Sequence, residues 1–179
     1  METENNDGKF NRNGYRWDGA APGSPQTATD GWHGDGYIAA RPNDDLRVFF
    51  ANGYLDAPEV VYNVNFTTTG TYFVYLRSSG PDAKSDSAHV GLDGALNGSM
   101  ALYFIGEGGA TSNWKWRSNN NDGTRTKINV STPGIHTFHI FMREDGTRID
   151  RIRLSTNKDW VANPNDSAKG PDESPRGTF

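Results

Sequence analysis

The sequence contains no cysteine and no long apolar run, and these absences limit what the chain can be. Without cysteine there is neither a disulfide framework nor a thiol nucleophile. No run of about 18 apolar residues occurs, so no transmembrane helix is predicted. Apolar residues make up only 34% of the 179 residues, and no stretch has a sustained period of 3.6. The sequence therefore does not predict helices.

Other absences exclude several functional classes. The net charge of −4 gives no general attraction to nucleic acid or to an anionic membrane surface. The chain lacks a Gly-x-Ser-x-Gly elbow, a phosphate-binding loop and a His-Glu-x-x-His motif. No two acids stand out as the catalytic pair of a glycosidase. His136 and His139 lie three apart in a predicted strand and so point to opposite faces. We therefore predict that the chain is not an enzyme.

The residues that are abundant indicate an all-β fold. The chain has 21 glycines, and Asp-Gly and Asn-Gly dipeptides recur along it, which supply the positive φ angles of tight hairpins. Between these turns, apolar residues alternate with polar ones, as in 60–66, 72–76, 88–92 and 138–142. Short alternating strands separated by Gly-rich turns predict a β-sandwich or barrel.

Asp150 stands out because it breaks the pattern of its own strand. It is two residues before Ile152 and four before Leu154, and residues two apart in a strand share a face. The alternation therefore predicts that this carboxylate points into the core, where an unpaired charge is costly. We expect a cation or a hydrogen-bond cage around it.

Five segments form an ordered series along the chain. They are Glu2-Thr3-Glu4, Gly36-Tyr37-Ile38, Tyr62-Asn63-Val64-Asn65-Phe66, Gly70-Thr71-Tyr72 and Arg148-Ile149-Asp150-Arg151-Ile152. The series resembles the carbohydrate-binding modules of families 6 and 35, which are jelly-roll β-sandwiches of the galactose-binding-domain-like type appended to bacterial polysaccharide-degrading enzymes. The resemblance covers roughly residues 1–160.

The resemblance implies a structural calcium ion. The family holds it with two acids of an opening Glu-x-Glu strand and an Asp near the last strand, positions that match Glu2, Glu4 and Asp150. Glu2 and Glu4 are two apart and share a face, and carboxylate oxygens are the ligands that calcium prefers.

The resemblance also implies a sugar site on loops at one end of the sandwich. Tyr37 matches the family's Tyr, and Trp114 or Trp116 matches its Trp. Arg148 stands where the family has Asn, and its planar donors suit a carboxylate or a sulfate. An acidic or sulfated glycan is therefore the hypothesis, with a neutral xylan or galactan still open. Further candidates for sugar contact are Trp32, Asn119 and Arg143.

Together these observations predict a noncatalytic carbohydrate-binding module over residues 1–162 and a tail or linker over 163–179. The module is expected to be monomeric, extracellular and tethered to a catalytic domain, which it targets to a polysaccharide of an algal or plant cell wall. One alternative is a calcium-dependent adhesion or interdomain module. Another is a jelly-roll polysaccharide lyase, although the Gln-x-His and Tyr-x-Lys-x-Gly-x-Tyr strands of such lyases are missing. Binding at the loop end or on the concave sheet face both remain open.

Overall fold

The computed structural model describes residues 1–20, 31–45, 53–80, 82, 84–101, 114–120, 122–160, 170–175 and 177. The strands are β1 (Gly8–Phe10), β2 (Arg16–Ala20), β3 (Tyr37–Arg41), β4 (Glu59–Phe66), β5 (Gly70–Ser79), β6 (Ser87–Leu92), β7 (Ala95–Ala101), β8 (Lys115–Arg117), β9 (Lys127–Val130), β10 (Gly134–Met142) and β11 (Arg148–Ser155). A single turn of 3-10 helix spans Gly53–Asp56. No helix of the described residues is long and apolar enough to cross a membrane.

The strands form two antiparallel sheets that pack face to face. The first sheet has the order β1-β4-β10-β6-β7, and the second has the order β2-β3-β11-β5-β8, with β9 also paired to β5. Several neighbours in space, such as β4 with β10 and β3 with β11, are distant in sequence, as in a jelly roll, where strands return to pair with earlier ones. The predicted all-β sandwich is confirmed.

The core lies between the sheets and follows the alternation of the sequence. On β4, Val60 and Tyr62 are buried, and on β10, Phe138 and Ile140 are fully buried. Their partners across the sandwich come from the second sheet, including Leu76 of β5. Each fully buried side chain of this size stabilises the fold by about 1.5–3 kcal/mol relative to exposure. Because these alternate residues occupy the core-facing side of each strand, the opposite face of the strand is the one that can carry a binding site.

A β-bulge in β11 corrects the prediction about Asp150. Ile149 pairs with Ser78, whereas Arg151 pairs with Arg77 and Ile152 with Leu76, so β11 contains one extra residue at this point. Asp150 is fully buried, as predicted. Its carboxylate nevertheless contacts Arg77 and the backbone N–H of His33 rather than apolar side chains. The prediction that it points into the core is wrong because the bulge takes Asp150 out of phase with Ile152.

Gly91 of β6 is predicted to be intolerant of any side chain. A Cβ at this position would collide with the backbone carbonyl oxygen of Ala95, across an irregularity in the β6–β7 pairing. We expect Gly91→Ala to destabilise the domain by about 1–3 kcal/mol because the backbone must shift. Gly19→Ala is the matched control, since a Cβ on Gly19 would meet nothing within 4 Å. Equal unfolding free energies of the two variants in urea would contradict this prediction.

Candidate functional site

The outer face of the second sheet carries a cluster of aromatic and arginine side chains. On β3, Ile38 and Ala40 face the core, so Tyr37, Ala39 and Arg41 lie on the opposite face. Arg148 of β11 pairs directly with Ala39. The small Ala39 side chain therefore leaves room between Tyr37 and Arg41, at the position where Arg148 lies.

Three aromatic rings pack together beside Ala39. The ring centroids of Tyr37 and Trp114 are 5.1 Å apart, and those of Trp32 and Tyr37 are 5.7 Å apart, with tilted planes in both pairs. The Arg77 guanidinium lies 5.8 Å from the Trp114 ring centroid. Tyr37 is 0% exposed and Trp114 only 4% exposed, whereas Trp32 is half-buried. Tyr37 and Trp114 are therefore not open stacking platforms.

The polar atoms of this cluster are buried without hydrogen-bond partners. Within the described residues, no partner is found for Tyr37 Oη, Trp114 Nε1, Arg148 Nε and Nη1, or Arg41 Nε. Arg148 is only 8% exposed. Burial lowers the pKa of its guanidinium, Tyr37 acts in the opposite direction, and Arg41 lowers the pKa further. Because buried polar groups are nearly always hydrogen-bonded, this set requires an explanation. We call Tyr37, Trp114, Arg41 and Arg148 the donor pocket.

The other predicted sugar contacts lie elsewhere. Trp116 packs edge-on against Trp160, with ring centroids 5.2 Å apart. Asn119 accepts a hydrogen bond from Arg125 Nη1 at 2.8 Å in an exposed turn. Arg143 donates to Ser87 Oγ at 2.5 Å. The structure thus brings Tyr37, Trp32, Trp114 and Arg148 together, whereas it does not bring Trp116, Asn119 or Arg143 to the same place.

The three acids predicted to bind calcium lie around the turn of residues 33–36. Glu4 Oε1 accepts hydrogen bonds from the N–H groups of Asp35 and Gly36 at 3.0 and 3.1 Å. A Cβ on Gly34 would lie 2.9 Å from Glu4 Oε1 and 3.2 Å from Glu2 Oε2. The N–H of His33 donates to both oxygens of Asp150, at 3.1 and 3.2 Å. We call Glu2, Glu4 and Asp150 the acid cluster.

Two arginines partly neutralise the acid cluster. Arg77 forms a buried ion pair with Asp150, and Arg151 Nη2 lies 2.8 Å from Glu2 Oε1. Burial raises the pKa of Glu4 to about 7, and the charges of Glu2 and Asp150 contribute in the same direction. Burial also raises the pKa of Asp150 to about 6, although Arg77 opposes that shift.

Two of the three acids in the acid cluster, Glu2 and Glu4, have a carboxylate oxygen that a cation could bind. Glu2 Oε2 and Glu4 Oε2 are buried and have no hydrogen-bond partner among the described residues. Carboxylate oxygens of this kind fit a hard cation such as calcium. Asp150, by contrast, faces Arg77. Across the described ranges, no three acidic or histidine side chains are arranged to hold one metal ion.

Part of the predicted tail packs against the same region. The Glu173 carboxylate accepts from the Glu2 N–H at 2.9 Å and from Asn5 Nδ2 at 3.0 Å. Arg151 Nη2 donates to the carbonyl of Pro171 at 2.8 Å. Together with β4 and β11, residues 171–175 line a cavity of about 490 Å³. The boundary at residue 162 stays a prediction, since residues 161–169 lie outside the described ranges.

Most of the chain matches one known protein family. Residues 29–173 match the family described as the glycosyl hydrolase family 115 C-terminal domain. The chain belongs to this family. The match includes Tyr37, Trp114, Arg148 and Asp150. Glu2 and Glu4 of the acid cluster lie before its first residue.

Individual relatives are similar to this chain in sequence or in fold. A Formosa agariphila protein described as "Uncharacterized protein P23" is 30% identical over 127 residues, which cover 64% of this chain and 29% of that protein. A family 35 carbohydrate-binding module from Clostridium thermocellum superimposes with a TM-score of 0.58 at 16% identity, covering 86% of this chain and 94% of the module. The C-terminal CBM6 of LamC, a marine laminarinase from Zobellia galactanivorans, gives 0.57 at 14% identity, covering 87% and 97%. The resemblance to families 6 and 35 is confirmed for the fold.

Sequence reasoning missed two arginines of this family 115 C-terminal domain. Arg41 shares a face with Tyr37, and the alternation of Tyr-Ile-Ala-Ala-Arg carries that signal. No pattern in the sequence indicates that Arg77 belongs to a site. Its pairing with Asp150 depends on the bulge in β11, which the alternation of that strand does not reveal.

Proposed function

We propose that this family 115 C-terminal domain is a noncatalytic carbohydrate-binding module that holds an attached enzyme on a polysaccharide. The observation that carries the proposal is the donor pocket, where buried polar atoms without partners lie beside the rings of Tyr37 and Trp114. Sugar sites combine aromatic rings with a few convergent polar groups. The similarity in fold to modules named as carbohydrate-binding supports the proposal.

For the ligand, we propose an acidic or sulfated glycan of the kind found in algal or plant cell walls. Arg148 supports this choice because it is buried, carries a positive charge and has two nitrogens without partners among the described residues. A guanidinium binds a carboxylate or sulfate through two parallel hydrogen bonds. A neutral glycan offers no charge to compensate the burial of this side chain.

We also propose that the module is attached to a catalytic domain and that it is extracellular. The family name refers to the C-terminal domain of a glycosyl hydrolase, and the chain spans less than a third of the Formosa agariphila relative that it matches. Both facts support a module within a larger protein that contains a catalytic domain. We propose that this larger protein is secreted. Within that protein, the module is proposed to contribute affinity for the polymer and not the chemistry of cleavage.

Affinity electrophoresis tests the binding function. The protein is run in gels containing xylan, pectin, alginate, agarose, porphyran, carrageenan or fucoidan. We expect retardation on at least one polymer and its loss in Trp114→Ala, because this ring borders the donor pocket. Trp116→Ala is the matched control, since Trp116 packs in a separate cluster with Trp160. It should keep wild-type retardation.

The same gels decide between the proposed function and its rivals. No retardation on any polymer, with both variants folded by circular dichroism, would favour the adhesion or interdomain role. Reducing ends or unsaturated products released by the protein would instead indicate a hydrolase or lyase. If Trp116→Ala lost retardation while Trp114→Ala kept it, the sugar site would lie at the cluster of Trp116 and Trp160 and not at the donor pocket.

We further propose that the acid cluster binds a structural calcium ion. The two buried carboxylate oxygens of Glu2 and Glu4 without partners support it, as does the raised pKa of Glu4, which reflects burial and repulsion that a cation relieves. Asp150 is the third proposed ligand, and to serve as one it must share its carboxylate with Arg77. When bound, the ion supplies positive charge that holds the acids and the adjoining turn of residues 33–36 together.

A further inference from the structure

The donor pocket contains far more hydrogen-bond donors than acceptors. A guanidinium has five N–H donors and no acceptor, and the Trp indole N–H is a donor only. Tyr37 Oη is the only atom without a partner in this set that can also accept. A sugar hydroxyl donates one hydrogen bond and accepts others, so each hydroxyl bound here would need an acceptor. The donor pocket does not have enough acceptors for several hydroxyls. A group with oxygens that only accept fits the pocket best.

Two guanidinium groups approach the same place from neighbouring strands. Arg148 pairs directly with Ala39, and Arg41 is the next residue of β3 on the same face. Diagonal neighbours of this kind are about 7–8 Å apart at the backbone, which long side chains span readily. The charge of Arg41 contributes to lowering the pKa of Arg148, which agrees with this proximity.

No described acid neutralises this pair of charges. Asp18 lies on the same face, because it pairs with Ala39 from β2. Its carboxylate, however, accepts a hydrogen bond from Arg16 Nε at 2.8 Å. Among the described residues, Arg41 Nε and Arg148 Nε and Nη1 have no hydrogen-bond partner. Two like charges held close together in a buried position are unfavourable unless an anion joins them.

We propose that Arg41 and Arg148 form a two-guanidinium pocket that binds a single anionic substituent, a carboxylate or a sulfate, projecting from the glycan. The proposal rests on the proposed glycan-binding function and gives Arg41 a direct contact with the ligand. Tyr37 Oη and Trp114 Nε1 donate to the remaining oxygens of the substituent.

The burial of the pocket explains why a substituent, and not the flat face of the polymer, is recognised. Tyr37 is 0% exposed and Arg148 is 8% exposed, so no sugar ring can lie across the Tyr37 ring. A carboxylate or sulfate is smaller than a sugar ring, and it is therefore the group that we expect to reach the guanidinium groups. Trp32, which is half-buried beside Tyr37, is placed to contact the sugar that carries the substituent.

Titration calorimetry with matched polymers tests the pocket. Pectin is compared with carboxyl-reduced pectin, and carrageenan with desulfated carrageenan. We expect binding to one charged polymer and at least about 30-fold weaker binding to its neutral form, because an unpaired buried charge in an interface costs that much or more. The pair that shows the difference identifies the substituent as carboxylate or sulfate.

Variants then assign the effect to the two arginines. Arg148→Gln and Arg41→Gln should each weaken binding to the charged polymer at least tenfold. Arg125→Gln removes the same charge from an exposed turn and should leave binding unchanged. Arg148→Met is also expected to raise the midpoint of thermal unfolding, since it removes a buried charge without a partner. An arginine with a purely structural role would lower the midpoint.

The outcomes separate this proposal from the function on which it rests. Equal binding of a polymer and its neutral form would overturn the two-guanidinium pocket while the glycan-binding function stands. Wild-type binding by Arg41→Gln would likewise remove Arg41 from the site. Failure to bind either charged polymer, with retention on a neutral polymer, overturns the pocket. Failure to bind any polymer overturns both proposals.

Discussion

Arg77→Met is expected to destabilise the domain by about 3–5 kcal/mol, because it removes the partner of a fully buried carboxylate. Arg77 is 2% exposed and Asp150 is 0% exposed, and their ion pair joins β5 to the bulge of β11. Without the guanidinium, Asp150 must either remain charged in a dry environment or take up a proton. The contact of Arg77 with the Trp114 ring is lost as well.

Urea unfolding at neutral pH measures this effect. The matched control is Arg125→Met, since Arg125 also lies beside an aromatic ring, 5.9 Å from the Tyr75 centroid. In the described residues its side chain pairs with the amide oxygen of Asn119 and not with a carboxylate. The double variant Arg77→Met, Asp150→Leu should recover much of the loss, because replacing both members of a buried pair is nearly neutral. A loss below about 1 kcal/mol for Arg77→Met would show that Asp150 does not depend on Arg77.

Calcium is expected to stabilise the domain by about 2.7–4 kcal/mol when it is present at 100 to 1,000 times its dissociation constant. The physical reason is that the folded state alone brings Glu2 and Glu4 together, with two buried oxygens that lack partners in the described structure. Addition of a chelator should therefore lower the midpoint of thermal unfolding. Magnesium should substitute poorly, because it requires a tighter octahedral arrangement.

Differential scanning calorimetry with calcium and with chelator checks this prediction. Glu2→Gln and Glu4→Gln should each reduce the calcium-dependent shift, whereas Asp93→Asn, in a hairpin turn beside His136, should leave it intact. If Asp150→Asn also reduces the shift, Asp150 joins the other two acids as a ligand. A midpoint that does not change between calcium and chelator would remove the metal ion from the acid cluster.

The alternation of apolar residues predicts a β-sandwich or barrel, and the resemblance to families 6 and 35 narrows this prediction to a jelly-roll sandwich. The alternation puts Val60 and Tyr62 on one face of their strand and Phe138 and Ile140 on one face of theirs, and all four side chains are buried. This success has a physical basis, because a one-residue slip would move every apolar side chain of a strand to solvent. For the same reason, the position of Tyr37 next to the core residue Ile38 places it on the outer face, where the donor pocket lies.

The geometry of the sites could not be predicted in the same way. Trp114 and Trp116 are two residues apart, and yet they join different clusters, one with Tyr37 of β3 and the other with Trp160 beyond β11. These partners depend on which strands become neighbours in space, and spacing along the chain carries no information about that. The bulge at Asp150 is a second case, since an extra residue in a strand leaves the alternation pattern ambiguous at that position.

The most direct test of the account is NMR observation of the buried donors during titration with an oligosaccharide of the retained glycan. The indole N–H of Trp114 and the Nε–H of Arg148 are observed separately from the backbone. The account predicts that both resonances shift and saturate together, because the substituent accepts hydrogen bonds from both groups. It would be contradicted if both resonances stayed unchanged at saturation while the indole N–H of Trp116 or Trp160 shifted.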